Sequence, residues 1–146
     1  EYICMPIEDI DFPEESFEVV ISSLVLHYIK SFGDVLDKVY KCLSRGGDFV
    51  FSVEHPIFTA QDPQDWYYDD KGNILHWPVD HYFTEGIRNA KFLGEEVIKY
   101  HRALTIYLNS LIKIGFEITG IVEPEPEENM LKKLISYACV LLNHSF

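Results

Sequence analysis

Residues 11–29 read DFPEESFEVVISSLVLHYI. An acidic loop containing Pro13 gives way at Phe17 to a run of Val and Ile. The run stops at Ser22-Ser23 and restarts at once as an apolar segment bearing His27. Residues 17–22 show no apolar–polar alternation, the pattern expected of a strand covered on both faces, and such strands occur mainly in parallel sheets.

Ser31 and Asp34, just downstream, resemble a capping box with Asp in place of the usual Glu or Gln. Val35, Leu36, Val39, Tyr40 and Leu43 then recur at helical spacing. Arg45-Gly46-Gly47 predicts the stop, a basic last turn followed by glycines. Residues 49–53, FVFSV, predict a second strand. Strand, helix, glycine pair and strand make a βαβ unit, with parallel strands and a right-handed crossover. Upstream, residues 2–5 predict a short buried strand ended by Pro6.

Residues 55–93 break this rhythm. They are dense in Trp, Tyr, Phe, Pro and Asp. A connection so long with little periodicity is functional or disordered, and its aromatics argue against disorder because they need packing partners. Residues 70–73, DKGN, predict a hairpin turn inside it. Beyond it, residues 96–100 predict a short strand, and Leu104, Tyr107, Leu108, Leu111 and Ile112 a helix ending at Gly115. Residues 116–122 and 137–142 predict two last strands that can pair antiparallel. Between them lie an acidic loop starting at Glu123 and a short helix over 130–134.

The whole chain, residues 1–146, reads as one domain. Its 24 acids against 12 bases give a formal charge of −12. That charge repels phosphate backbones and anionic membrane surfaces, so nucleic acid and membrane are excluded as partners and a small molecule or protein is expected. Cys4, Cys42 and Cys139 form no CxxC pair, which argues against a disulfide framework or zinc site and for a reducing cytoplasm. His76, Asp80, His81 and His101 match no ligand spacing, so no metal is expected. EYICMPIEDI has no signal-peptide pattern, and the apolar run 19–29 is too short to span a bilayer.

The line IEDIDFPEESFEVVISSLVLHYI, followed by a helix and LSRGGDFVFSVEHP, resembles the second half of a class I S-adenosylmethionine-dependent methyltransferase of the small-molecule branch, methyltransferase type 11. GFEITGIVEP and SYACVLL resemble that family's sixth and seventh strands. The resemblance implies an α/β fold: a partial Rossmann-like sheet holding strands 3 to 7 of the family order 3-2-1-4-5-7-6, the last strand antiparallel. The family's glycine-rich loop after its first strand is not in this sequence, whose only Gly-Gly follows a helix. The chain therefore reads as the trailing portion of such a domain. Its strand 4 would lack its usual neighbour, and an open apolar edge invites association, so a homo-oligomer is expected.

By the same resemblance the cofactor is S-adenosylmethionine, held at the carboxyl ends of the strands. The stop at Ser22-Ser23 then has a reason: that end is where ligand meets sheet. Ile7 and Glu8 fall in the loop that faces adenine, although Glu8 also reads as a solvated loop acid. Ser22, Ser23 and Leu24 fall at the cofactor's methionine end, or else the serines simply bond local backbone. His27 matches a histidine frequent in the family and equally reads as a buried structural group. The insert 55–93 implies an acceptor-side cap, with Trp66, Tyr82 and His101 as substrate-binding residues and His55 as an acceptor-side base. Glu54, Tyr67, Tyr68, His76, Trp77, His81 and Arg102 are further candidates there. The expected activity is methyl transfer to a small-molecule acceptor, weak or absent in this chain alone. The alternative is a non-catalytic dimerising or partner-binding module.

Overall fold

The structure is a computed structural model that describes residues 1–124 and 137–144. The chain runs β1 (Phe17–Ser23), α1 (Phe32–Cys42), β2 (Leu43–Glu54), α2 (Pro56–Thr59), β3 (Tyr67–Tyr68), β4 (Ile74–His76), β5 (Gly86–Phe92), β6 (Glu95–His101), α3 (Leu104–Ile114), β7 (Phe116–Val122) and β8 (Tyr137–His144). Four strands form the main sheet in the order β1-β2-β8-β7. β1 and β2 are parallel, and β8 runs antiparallel to both β2 and β7. The βαβ unit and the antiparallel final pair thus agree with expectation, and the order corresponds to 4-5-7-6 of the doubly wound scheme.

One face of this sheet carries the core. Phe49, Phe51 and Val53 of β2 and Phe116 of β7 meet Phe32, Val35, Leu36 and Val39 of α1 and Tyr107 and Leu111 of α3. Each fully buried Phe contributes roughly 1.5–3 kcal/mol relative to exposure. The other face is bare at β1, where Val19 is 51% and Ile21 73% exposed. The expectation that β1 is covered on both faces is therefore corrected. Only its Val20 and Ser22 side turns inward, because both helices lie on that side.

Three other local expectations change. Residues 2–5 form no strand, since no described strand lies beside them to complete a ladder. Ser31 occupies the N-cap of α1, but its side chain makes no capping bond, so the capping box is absent. The glycine pair does not end α1. The helix stops at Cys42, and Leu43 is already paired with Phe17. Residues 44–47 then form a bulge before Val19 pairs with Asp48. A Cβ on Gly47 would lie 2.8 Å from the carbonyl oxygens of both Glu18 and Ser44, so close backbone approach is what requires glycine there. Gly115 does end α3 as expected, with φ 117° and its N–H bonded to the Leu111 and Ile112 carbonyls.

The insert contains more order than expected. Asp69 builds the turn of the β3–β4 hairpin: its Oδ1 accepts the Lys71 and Asn73 N–H groups at 2.9 and 2.8 Å. β5 and β6 form a second hairpin that begins inside 55–93 and continues beyond it, joined by Leu93-Gly94 at φ 53° and 90°. Two consecutive positive φ values make this a tight turn matched to strand twist. The short helix expected over 130–134 lies outside the described residues.

Candidate functional site

The carboxyl ends of β1 and β2 open side by side. Leu24 leaves β1 at φ 56°, a conformation costly for leucine. Its N–H donates to the Ser52 carbonyl at 3.0 Å and to Ser52 Oγ at 3.2 Å, so β2 holds the turn in place. Ser23 is exposed with its Oγ 3.5 Å from Ser52 Oγ. Ser22 is buried, and its Oγ has no hydrogen-bond partner among the described residues. Leaving a buried hydroxyl unsatisfied costs about 1–3 kcal/mol, so Ser22 Oγ has hydrogen-bonding capacity for a further partner.

Just behind this turn lies a buried charged network. Lys99 of β6 donates to Glu54 Oε1 and Oε2 at 2.7 and 2.8 Å and to Gln64 Oε1 at 2.8 Å. Gln64 Nε2 in turn donates to Glu54 Oε2 at 3.2 Å. His27 Nδ1 accepts the Glu54 N–H at 3.4 Å, which leaves the ring proton on Nε2, 3.9 Å from Glu54 Oε1. Burial lowers the His27 pKa to about 4 against the attraction of Glu54, with Lys99 and Arg102 pushing the same way. The imidazole is therefore neutral at pH 7. Burial and Glu54 together raise the Tyr28 hydroxyl above its ordinary value.

His55 follows β2 directly and is buried. Its Nδ1 accepts the Ile57 N–H at 3.1 Å, and its Nε2 pairs with Glu123 Oε1 at 2.5 Å. Both ring nitrogens are engaged, so proton abstraction by His55 would require the Ile57 bond to open.

The three substrate-side residues fall in two places. Trp66 packs edge-on against Trp77 at 5.3 Å, and Trp77 stacks on Phe58 at 4.7 Å while donating from Nε1 to the Ile57 carbonyl. His101 is the last residue of β6, and Tyr82 lies just before the β5–β6 hairpin. His101 donates from Nε2 to the Tyr82 carbonyl at 2.8 Å, and its Nδ1 meets Thr59 Oγ1 at 2.8 Å. His101 is 1% exposed, and burial lowers its pKa. Arg102 is buried against the Leu26, Ile29, Lys30 and Tyr100 carbonyls and the rings of Phe32 and Tyr100.

The structure thus brings Ser22, Ser23, Leu24, His27, Glu54 and His55 to one end of the sheet. Ile7 and Glu8 lie in a 3-10 turn against α1, where the Glu8 carbonyl accepts Lys38 Nζ at 2.5 Å. Lys99, Gln64 and Arg88 were not among the residues the sequence singled out. Their roles depend on β5 and β6 facing inward, which no local pattern announces. Among the described residues no cluster of three or more His, Cys, Asp or Glu could hold a metal ion, and no helix is long and apolar enough to cross a membrane.

Comparison with known proteins adds the following. A family profile described as "Methyltransferase domain" matches residues 1–51. A proposed S-adenosylmethionine dependent methyltransferase of Listeria monocytogenes superposes with TM-score 0.88 at 48% identity, over 97% of this chain and 68% of that one. An S-adenosylmethionine dependent methyltransferase of Mesorhizobium loti gives TM-score 0.81 at 33% identity, over 95% and 67%. An uncharacterised protein of Haemophilus influenzae is 35% identical over 122 residues, 82% of this chain, which spans about half (48%) of that curated relative.

Proposed function

We propose, because the chain belongs to the S-adenosylmethionine-dependent methyltransferases, that it serves methyl transfer from this cofactor to a small-molecule acceptor docked on the cap formed by residues 55–101. The observation that carries the proposal is the unsatisfied Ser22 Oγ beside the strained Leu24 turn, where two parallel strands end.

The residues present fit the cofactor in part. Ser22 and Ser23 offer hydroxyls to the amino and carboxylate groups of its methionine end. For the nucleoside, the chain offers the backbone of Ile7 and the carboxylate of Glu8, and residues 1–146 contain no glycine-rich loop between strand and helix. When bound, the cofactor supplies an electrophilic methyl on a sulfonium. The protein's part is to align the acceptor and keep water out. The Phe58–Trp77–Trp66 cluster provides apolar faces that favour a nearby cation. Lys99 and Glu54 hold the cap against the end of β2. With both His55 nitrogens engaged, alignment rather than proton removal dominates in this reading.

Isothermal titration with S-adenosylhomocysteine tests it. The wild-type chain should bind more weakly than micromolar, and Ser22→Ala should abolish binding while raising the melting temperature of the ligand-free chain. Micromolar affinity would mean that other residues hold the cofactor. No binding at all, with Ser22→Ala destabilising, would defeat the proposal.

A second reading, a dimerising or partner-binding module, is supported by the open edge and bare Val19–Ile21 face of β1. Light scattering after size exclusion decides it. Association that Ile21→Lys disperses supports the module, and a monomer at all concentrations removes its dimerising form.

A further inference from the structure

The inward face of the β5–β6 hairpin is cationic. Arg88 and Lys99 pair directly across the two strands, and both are buried. The two charges meet different fates. Lys99 is neutralised by Glu54. Arg88 has no carboxylate within salt-bridge distance among the described residues and is held by carbonyls alone. Its Nε donates to the Ala60 carbonyl, Nη1 to Ile87, and Nη2 to His81 and Thr84. Four of its five N–H groups are used in this way, and one on Nη1 remains.

Carbonyl dipoles orient a guanidinium without cancelling its charge. A buried cation without a direct ion pair is costly, and the usual solution is an anion. Arg88 lines a cavity of about 330 Å³ together with Gln61, Asp62, Pro63, His81 and Thr84. Arg102, the other buried arginine, lines none of the described cavities and lies against two aromatic rings.

We propose that the Arg88 cavity is a binding site for the carboxylate of a small molecule. One free N–H and one positive charge match a single carboxylate oxygen. Asp62, whose Oδ1 already accepts the Asn89 N–H at 2.9 Å, disfavours a doubly charged phosphate in the same space. Gln61 and Thr84 supply polar groups for the remainder of such a ligand. In a chain of net charge −12, local positive charge is what an anionic ligand needs to approach. That the bound carboxylate belongs to the methyl acceptor rests on the methyltransferase reading; the binding itself does not.

The test titrates the wild-type chain with sodium acetate against sodium chloride at matched ionic strength, following the Arg88 Nε–H signal by ¹⁵N NMR. A saturable millimolar shift with acetate and none with chloride is expected, and Arg88→Lys should weaken acetate binding at least tenfold. Identical responses to acetate and chloride would overturn the site, leaving Arg88 as a structural clasp. Inorganic phosphate binding more tightly than acetate would overturn the carboxylate assignment. Should Arg88→Lys fail to fold, the wild-type titration still decides. Acetate binding without S-adenosylhomocysteine binding, with Ser22→Ala destabilising, would retain this site and discard only the methyltransfer reading.

Discussion

Replacing Lys99 with methionine removes a charge while keeping most of the stem that packs under the cap. Glu54 would then remain buried, with only Gln64 Nε2, at 3.2 Å, and the more distant His27 as side-chain donors. Breaking one side of a buried, hydrogen-bonded pair costs about 3–5 kcal/mol. An unfolding entropy of about 2.1 cal/mol/K per residue makes 1 kcal/mol worth about 3 °C in a chain of 146 residues. The expected drop is therefore roughly 10–15 °C, read by calorimetry and urea denaturation. Glu54→Gln combined with Lys99→Met should recover most of the loss, because what the single change exposes is an unpaired charge. Hydrogen exchange should show β5 and β6 losing protection first, since Lys99 is their tie to β2. A cost below about 1 kcal/mol for Lys99→Met, or no recovery in the double variant, would refute the view that this pair fastens cap to sheet.

The pH dependence of stability should carry the signature of His27. It titrates at about 4 in the fold and 6.5 when free, so between those values the unfolded chain takes up a proton that the folded chain refuses. Acidification through that window removes stability, and the loss between pH 7 and 4.5 should be smaller by about 2 kcal/mol in His27→Asn. Leu93→Asn, at an exposed positive-φ turn position, should raise stability by up to about 1 kcal/mol in thermal melts. Gly47→Ala should cost roughly 1–3 kcal/mol in urea unfolding, because its Cβ meets two carbonyl oxygens.

The sheet was legible in the sequence because the Val, Ile and Phe runs at 17–22, 49–53 and 116–122 record strand propensity, although only 49–53 is largely buried, and Gly115 records a helix end. The start of β2 was not legible, because Leu43 belongs equally to the helical stripe and to the first pair of the ladder. β5 was hidden for a physical reason: its alternation is inverted at residues 87 and 88. Arg88 faces inward and Ile87 faces out, so the usual sign of a half-buried strand is reversed. The serine turn at the end of β1 could be located from sequence. Its unsatisfied hydroxyl could not, since partnership depends on what stands opposite. The charges that hold the cap come from residues 54, 64 and 99, and no local pattern links them.

The long separation between β2 and its inner neighbour bears on synthesis. Asp48 pairs with Asn143, 95 positions later. At a translation rate of about 5–20 residues per second, β2 waits roughly 5–20 s on the ribosome with one side unzipped. During that interval Phe49, Phe51 and Val53 have only the early β1–α1–β2 unit for shelter. Slowing elongation after residue 54 should therefore raise aggregation of the nascent chain rather than its yield.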